Sequence, residues 1–199
     1  MQQNERDLYA KLLADCFLND PGIQIQLAGV PDASDVLEMQ CRCQLSAFLK
    51  LNGVSTFGDG EGLIMGYCSR DQVQLSAYLQ EESAVLLKQI PHDVLAGIQK
   101  NAERVVTIVQ SDWYEKFLGT QDVYVIQAIA VHPSVRGTGI FRKLLTPILG
   151  DSAEQGMPVV LQTHEPVNIT KYEHMGFVLK ETVSSDVTDL ACYNLMKYP

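Results

Sequence analysis

Two glycines one residue apart stand in the run Arg136-Gly137-Thr138-Gly139-Ile140-Phe141-Arg142. Ahead of them, Val123–Val131 is rich in β-branched residues. Behind them, Ile140, Leu144, Leu145 and Ile148 fall on one face at helical spacing. A strand, a glycine turn and a helix start form an anion site: glycine lets the backbone approach a ligand closely, and the free amides of the first helical turn point at negative charge. A diphosphate is the natural guest. The Gly-Lys-Ser/Thr ending of a P-loop is missing. A Rossmann turn would need a third glycine where Arg142 stands, and an acidic residue about 20 positions on at a second strand. A plain strand–helix turn with incidental glycines stays open on these residues alone.

The wider run Ala130-Val131-His132-Pro133-Ser134-Val135-Arg136-Gly137-Thr138-Gly139-Ile140 resembles the signature of the GNAT superfamily of N-acetyltransferases, Arg/Gln-x-x-Gly-x-Gly/Ala after a strand, with the pattern falling on Arg136, Gly139 and Phe141. Phe141 departs from the small residue of that pattern; its amide is still available, and its ring is expected to pack as core. A second run, Asn168 through Tyr172 to Gly176-Phe177, resembles the Asn…Tyr-x-x-x-Gly-Phe segment of the same superfamily. The resemblance spans Asp122 to Val178; upstream only the order of elements agrees.

The resemblance implies an α/β (α+β) fold: a mixed, mostly antiparallel central sheet with a splayed parallel strand pair and helices on both faces. It implies acetyl-CoA as co-substrate. The pantetheine arm would pair with Ile129, Ala130 and Val131, and the pyrophosphate would meet the amides of Arg136, Gly137, Thr138, Gly139, Ile140 and Phe141, with Arg142 adding charge. Asn168 would contact the arm or cap a helix. Tyr172 would be the general acid that protonates the departing thiolate, unless it is a core tyrosine. The implied chemistry is direct attack of an amine on a thioester carbonyl polarised by a backbone amide near Val131, with no metal and no covalent enzyme intermediate. The base is not identified; Asp122, His164, Glu165 or an ordered water are candidates. Gln127, the lone polar residue of the buried strand, faces the acceptor or satisfies a neighbouring backbone group.

These groups need a scaffold, and 199 residues with 46% hydrophobic side chains suffice for a substantial core. Residues 1–199 are read as a single acetyltransferase domain, with 1–119 a variable acceptor-side half and 120–199 an acetyl-CoA-binding core with a closing hairpin. Helices are expected over 5–18 and 33–51, the first burying Leu8, Leu12, Leu13 and Phe17, the second Leu37, Cys41, Leu45 and Phe48. Strands are expected at Val54–Phe57 and Leu63–Cys68 around Gly58, Gly60 and Gly62. Residues 72–118 read as mostly helical with a break at Pro91. Val123–Val131 is a central strand that alternates faces throughout. Pro147 should kink or end the helix that begins at Ile140. A strand at 158–163, a helix near Val167–Met175 and a hairpin of 177–183 with 188–197 close the chain.

The balance of 15 basic against 24 acidic residues, net −9, argues against a nucleic-acid partner and mildly favours a cationic ligand. Five cysteines without paired CxxC spacing read as free thiols rather than a metal site. Met1–Leu13 holds no signal-peptide core, and no apolar run reaches the ~20 residues of a membrane helix, so a cytoplasmic protein without a membrane partner is expected. A monomer or a homodimer would fit. His132 should be exposed in a loop, and His174 should pack. The leading reading is acetylation of a small-molecule amine, with the aromatic segment before Gly119 lining the acceptor pocket. A protein or peptide acetyltransferase would show an open groove flanked by acids. A non-catalytic acyl-CoA-binding module would point Tyr172 away from the thioester.

Overall fold

The computed structural model describes residues 1–199, apart from the side chain of Val85. Helix α1 (Gln3–Phe17) is fastened at its start by the Glu5 carboxylate, which accepts from the Gln2 amide at 2.7 Å. Its buried stripe is Tyr9, Leu12 and Leu13; Leu8, expected inside, is 46% exposed, because the face that meets α3 lies one residue further on. Asp20-Pro21-Gly22 does break α1, but it also starts a short helix α2 (Pro21–Gln26) that the sequence reading did not include. Proline suits a first helical position, and the Asp20 carboxylate accepts from the amides of Gly22 and Ile23. Helix α3 (Ala33–Lys50) buries Leu37, Cys41, Leu45 and Phe48 as expected.

Strands β1 (Val54–Phe57) and β2 (Gly62–Cys68) form the expected hairpin. Helices α4 (Gln72–Leu86), α5 (His92–Val106) and α6 (Glu115–Leu118) follow, with Pro91 as the N-cap of α5. The second half runs β3 (Tyr124–Val131), α7 (Ile140–Glu154), β4 (Val159–Thr163), α8 (Pro166–Glu173), β5 (Val178–Ser184) and β6 (Ala191–Lys197). One six-stranded sheet collects every strand in the order β1-β2-β3-β4-β6-β5, antiparallel at each pairing except β3–β4. α1, α3, α4 and α5 pack on one face over Leu63, Met65 and Tyr67. α7 and α8 pack on the other over Ile64, Ile126, Leu161 and Leu195. Burying each such side chain contributes roughly 1.5–3 kcal/mol. No helix among the described residues is long and apolar enough to cross a membrane.

Two expectations need correction. Pro147 does not end α7, which runs on to Glu154. Pro147 lies on the exposed side, where the Lys143 carbonyl it deprives of a donor faces water, while Leu144 and Leu145 are buried. Strand β3 does not alternate throughout. Met65 pairs with Ala128 and Gly66 with Ile126, so Gln127 is an extra residue without a partner in β2. That β-bulge shifts the phase: Tyr124 and Ile126 share the α7 side with Ile129 and Val131, while Val125, Ala128 and Ala130 face α1 and α3.

Candidate active site

The bulge bends β3, and its pairing to β4 is short. Only Tyr124–Val159, Val125–Val160 and Ile126–Leu161 are matched. From Ala128 to Val131, β3 is paired on the β2 side alone, so the backbone of Ile129, Ala130 and Val131 borders a gap beyond the last β3–β4 pair.

Beyond β3, His132 starts a single 3-10 turn, Pro133–Val135, its ring nitrogen accepting from the Ser134 amide; the ring is exposed, as expected. Gly137 and Gly139 then take φ of 83° and 88°, the region glycine enters without steric cost. Gly139 is the N-cap of α7. Thr138 and Arg136 close local turns through their amides, to Val135 and Pro133. Among the described residues, the amides of Gly137, Gly139, Ile140, Phe141 and Arg142 have no protein acceptor. A Cβ placed on Gly137 or Gly139 would meet nothing within 4 Å. Five free amides around open space at a helix start suit a phosphate, through both the donors and the helix dipole. Arg136 turns back: its Nε donates to the Val131 carbonyl at 3.1 Å and its Nη2 lies 3.7 Å from Cys16 Sγ. Arg142 is exposed beside the turn.

Tyr172 on α8 lies between Phe141 and Phe177, each ring edge-on at 5.6 Å. Phe141 therefore packs toward the core rather than over the turn. Tyr172 lines the central cavity, and its hydroxyl has no protein hydrogen-bond partner among the described residues. Burial pushes its pKa up to about 12, so the phenol stays protonated at neutral pH. Asn168 lies inside α8, where Glu165 is the N-cap; its Nδ2 donates to Thr163 Oγ1 at 3.2 Å and its Oδ1 accepts from Lys171 at 2.8 Å.

The cavity, about 720 Å³, runs from the β3–β4 gap into the space under α1, α3, α4 and α5. Gln127 and Trp113 line it, together with apolar groups such as Leu13, Phe17, Leu37 and Ile98. Asp20 is its one carboxylate among the described residues, and no lysine or arginine reaches it. Of the three candidate bases, His164 alone lines it. Asp122 is tied to Arg70 and Ser69 outside, and Glu165 begins α8. His164 Nδ1 lies 3.2 Å from Asp20 Oδ1, a pairing across 144 positions for which the sequence offers no signal. His174, expected to pack, is exposed and bonds to the Thr170 carbonyl. All five cysteines are free, and no group of three or more metal-ligating side chains occurs among the described residues.

Residues 67–177 match the profile of the Acetyltransferase (GNAT) family. No curated protein matches the chain by sequence. Solved structures with the same fold include an N-acetyltransferase from Staphylococcus aureus Mu50, 17% identical over 98% of this chain and 96% of that one, with a TM-score of 0.63. An arylalkylamine N-acetyltransferase-like 5b from mosquito is 15% identical over 100% and 97%, with a TM-score of 0.64. A histone acetyltransferase HPA2 and related acetyltransferase from Corynebacterium glutamicum is 17% identical over 100% and 93%, with a TM-score of 0.62.

Proposed function

Because the chain belongs to the GNAT acetyltransferase family and is therefore an acyltransferase of a family that uses acetyl-CoA, we propose that it transfers an acetyl group to the primary amine of a small molecule. The observation that carries this reading is the continuity of one cavity from the free edge of β3 to a chamber of aliphatic side chains and glutamines with a single carboxylate. A peptide acceptor would call for an open groove flanked by acids. The chamber instead suits one positive charge and a compact remainder that meets both aliphatic side chains and amide groups. One of the structurally similar proteins is an arylalkylamine N-acetyltransferase and another is an arylalkylamine N-acetyltransferase-like protein, a likeness of fold at 15–16% identity.

In this reading residues 1–119 wall the acceptor chamber and 120–199 hold the coenzyme, within one domain. The free edge at Ile129, Ala130 and Val131 takes the pantetheine arm, with Asn168 across the gap. The free amides of Gly137, Gly139, Ile140, Phe141 and Arg142 take the pyrophosphate; those of Arg136 and Thr138 close the turn. Acetyl-CoA supplies an activated acyl thioester. Tyr172 is the general acid: a protonated phenol with no protein partner is ready to give its proton to the leaving sulfur. Five unpaired thiols fit a reducing compartment such as the cytoplasm.

Thermal unfolding with acetyl-CoA, free coenzyme A and ATP tests the reading. At ~100-fold over its dissociation constant, acetyl-CoA should add about 2.7 kcal/mol of stability. For a chain of this size that is roughly 5–10 °C. A shift with acetyl-CoA but not ATP, followed by thiol release when small amines are added, supports the function. No shift at millimolar acetyl-CoA rejects it.

A further inference from the structure

A row of polar side chains crosses three strands on the chamber side of the sheet. Gln162 on β4 is paired with Asn194 on β6, and Asn194 with Glu181 on β5. Asn194 is 1% exposed. The row is joined end to end: Gln162 Nε2 lies 2.8 Å from Asn194 Oδ1, Asn194 Nδ2 lies 3.0 Å from Glu181 Oε2, and Lys116 on α6 closes the far end on Glu181. The hydrogen bond from Lys116 holds the Glu181 carboxyl below the usual carboxylate range, so it is ionised at neutral pH.

That charge fixes the sense of every bond in the row. A carboxylate only accepts, so Asn194 donates to it through Nδ2. Asn194 then turns Oδ1 toward Gln162, which donates through Nε2. Gln162 Oε1 is the end left over: it has no donor in the protein, and it is not among the sealed polar atoms. Its accessible surface has one outlet. Gln162 lies on an inner strand, between β3 and β6, and lines the cavity. Ile126–Leu161 is the last pair before β3 and β4 part, so Gln162 is the first residue of β4 past the fork, in the cavity that Tyr172 also lines. An oriented acceptor therefore stands where the coenzyme gap opens into the chamber.

We infer that Gln162 reads the acceptor: Oε1 receives an N–H of the amine and aims the nitrogen lone pair at the thioester carbonyl carbon. The inference rests on the acetyl-transfer reading above. The nitrogen gains positive charge as its bond to that carbon forms, so the N–H donates more strongly in the transition state than in the free amine. As the carbon–sulfur bond breaks, the thiolate takes the hydroxyl proton of Tyr172; the amine's surplus proton leaves to solvent, which returns one to the phenolate. Asn194 and Glu181 act through Gln162 as positioning residues: they fix which end of its amide meets the ligand.

Two measurements test this. NMR of the native protein should show a through-hydrogen-bond coupling between Gln162 Nε2 and the side-chain carbonyl carbon of Asn194; coupling in the reverse sense, from Asn194 Nδ2 to the Gln162 side-chain carbonyl carbon, overturns the inference without any need for substrate. Steady-state kinetics with acetyl-CoA and either 2-phenylethylamine or 3-methylbutylamine should show Gln162→Met lowering kcat/KM for the amine by about tenfold or more, the loss expected for a hydrogen bond from a charged donor. Methionine keeps the length of the side chain, and Cys192 Sγ, 3.5 Å from Asn194 Oδ1, still serves that oxygen. The KM for acetyl-CoA should stay within about twofold of native, because uniform damage to the fold would move both substrates. Values of kcat/KM for the amine within about threefold of each other in the native and Gln162→Met proteins reject the role of Gln162 but keep the transferase. An equal loss toward amine and acetyl-CoA rejects it too. Failure of the native protein to release coenzyme A with either amine rejects both.

Discussion

The Tyr172 ring is held on two sides by Phe141 and Phe177, while its hydroxyl engages nothing in the protein. Removing that oxygen should therefore separate chemistry from folding. Tyr172→Phe is expected to lower kcat by about 10²-fold or more, with a thermal midpoint unchanged within about 2 °C because the edge-on packing survives. A drop in both, or in neither, would mean that the hydroxyl is not the acid. Gly139 supplies a second residue-scale outcome. At φ 88° an alanine is strained by roughly 1–2 kcal/mol, and its methyl would occupy the open space in front of the free amides. Gly139→Ala should weaken acetyl-CoA binding by about tenfold or more in titration calorimetry, well beyond its effect on unfolding. The turn and the tyrosine segment were legible in the sequence because each is a local run whose spacing carries its meaning. The pairing of Asp20 with His164 was not: His164 stood among the candidate bases, but Asp20 read as a helix breaker, and nothing in a linear chain joins the two across 144 positions.

Among the elements, α7 is the instructive one. The sequence rule that proline stops a helix rests on a lost hydrogen bond and a ring clash, but apolar packing on the far side can outweigh both. Pro147 is exposed, while Leu144 and Leu145 anchor the helix against the sheet. Pro147→Ala should consequently stabilise the protein, by about 1–3 kcal/mol in urea unfolding, and leave acetyl-CoA affinity unchanged. A destabilised Pro147→Ala would mean that the imino ring itself packs usefully. The bulge in β3 was hidden for a related reason. Val123–Val131 is apolar at almost every position, so its pattern does not record a slip of one residue. Gln127 was the sole irregularity, and it is the residue at the slip. By contrast, the β1–β2 hairpin and the helix over 33–50 showed themselves through glycine spacing and a clean apolar stripe.

For the whole molecule, burial leaves a collective signature at high pH. Tyr67, Tyr124 and Tyr172 are pushed up from 10.0 to about 12, and Cys41 and Cys192 from 9.0 to about 12, desolvation being the largest cause in each. Each group holds its proton more tightly folded than unfolded. Its contribution to stability is therefore fully present below pH 9 for the thiols and below pH 10 for the phenols, and is lost as pH rises toward about 12. Each adds at most ~1.4 kcal/mol per pH unit within its window. Urea midpoints should thus be insensitive to these groups at pH 8 and fall steeply between pH 10 and 11.5; a midpoint that holds through pH 11.5 would contradict this. The three matched pairs between β3 and β4 have a consequence of another kind. They divide the sheet into two plates, β1-β2-β3 and β4-β6-β5, joined along a seam much shorter than either plate. In mechanical terms the seam is a hinge, and a pantetheine arm lying along the free edge of β3 would splint it. The protein's compliance would then track the supply of coenzyme, with amide exchange along Gln127–Val131 slowing as the splint goes in.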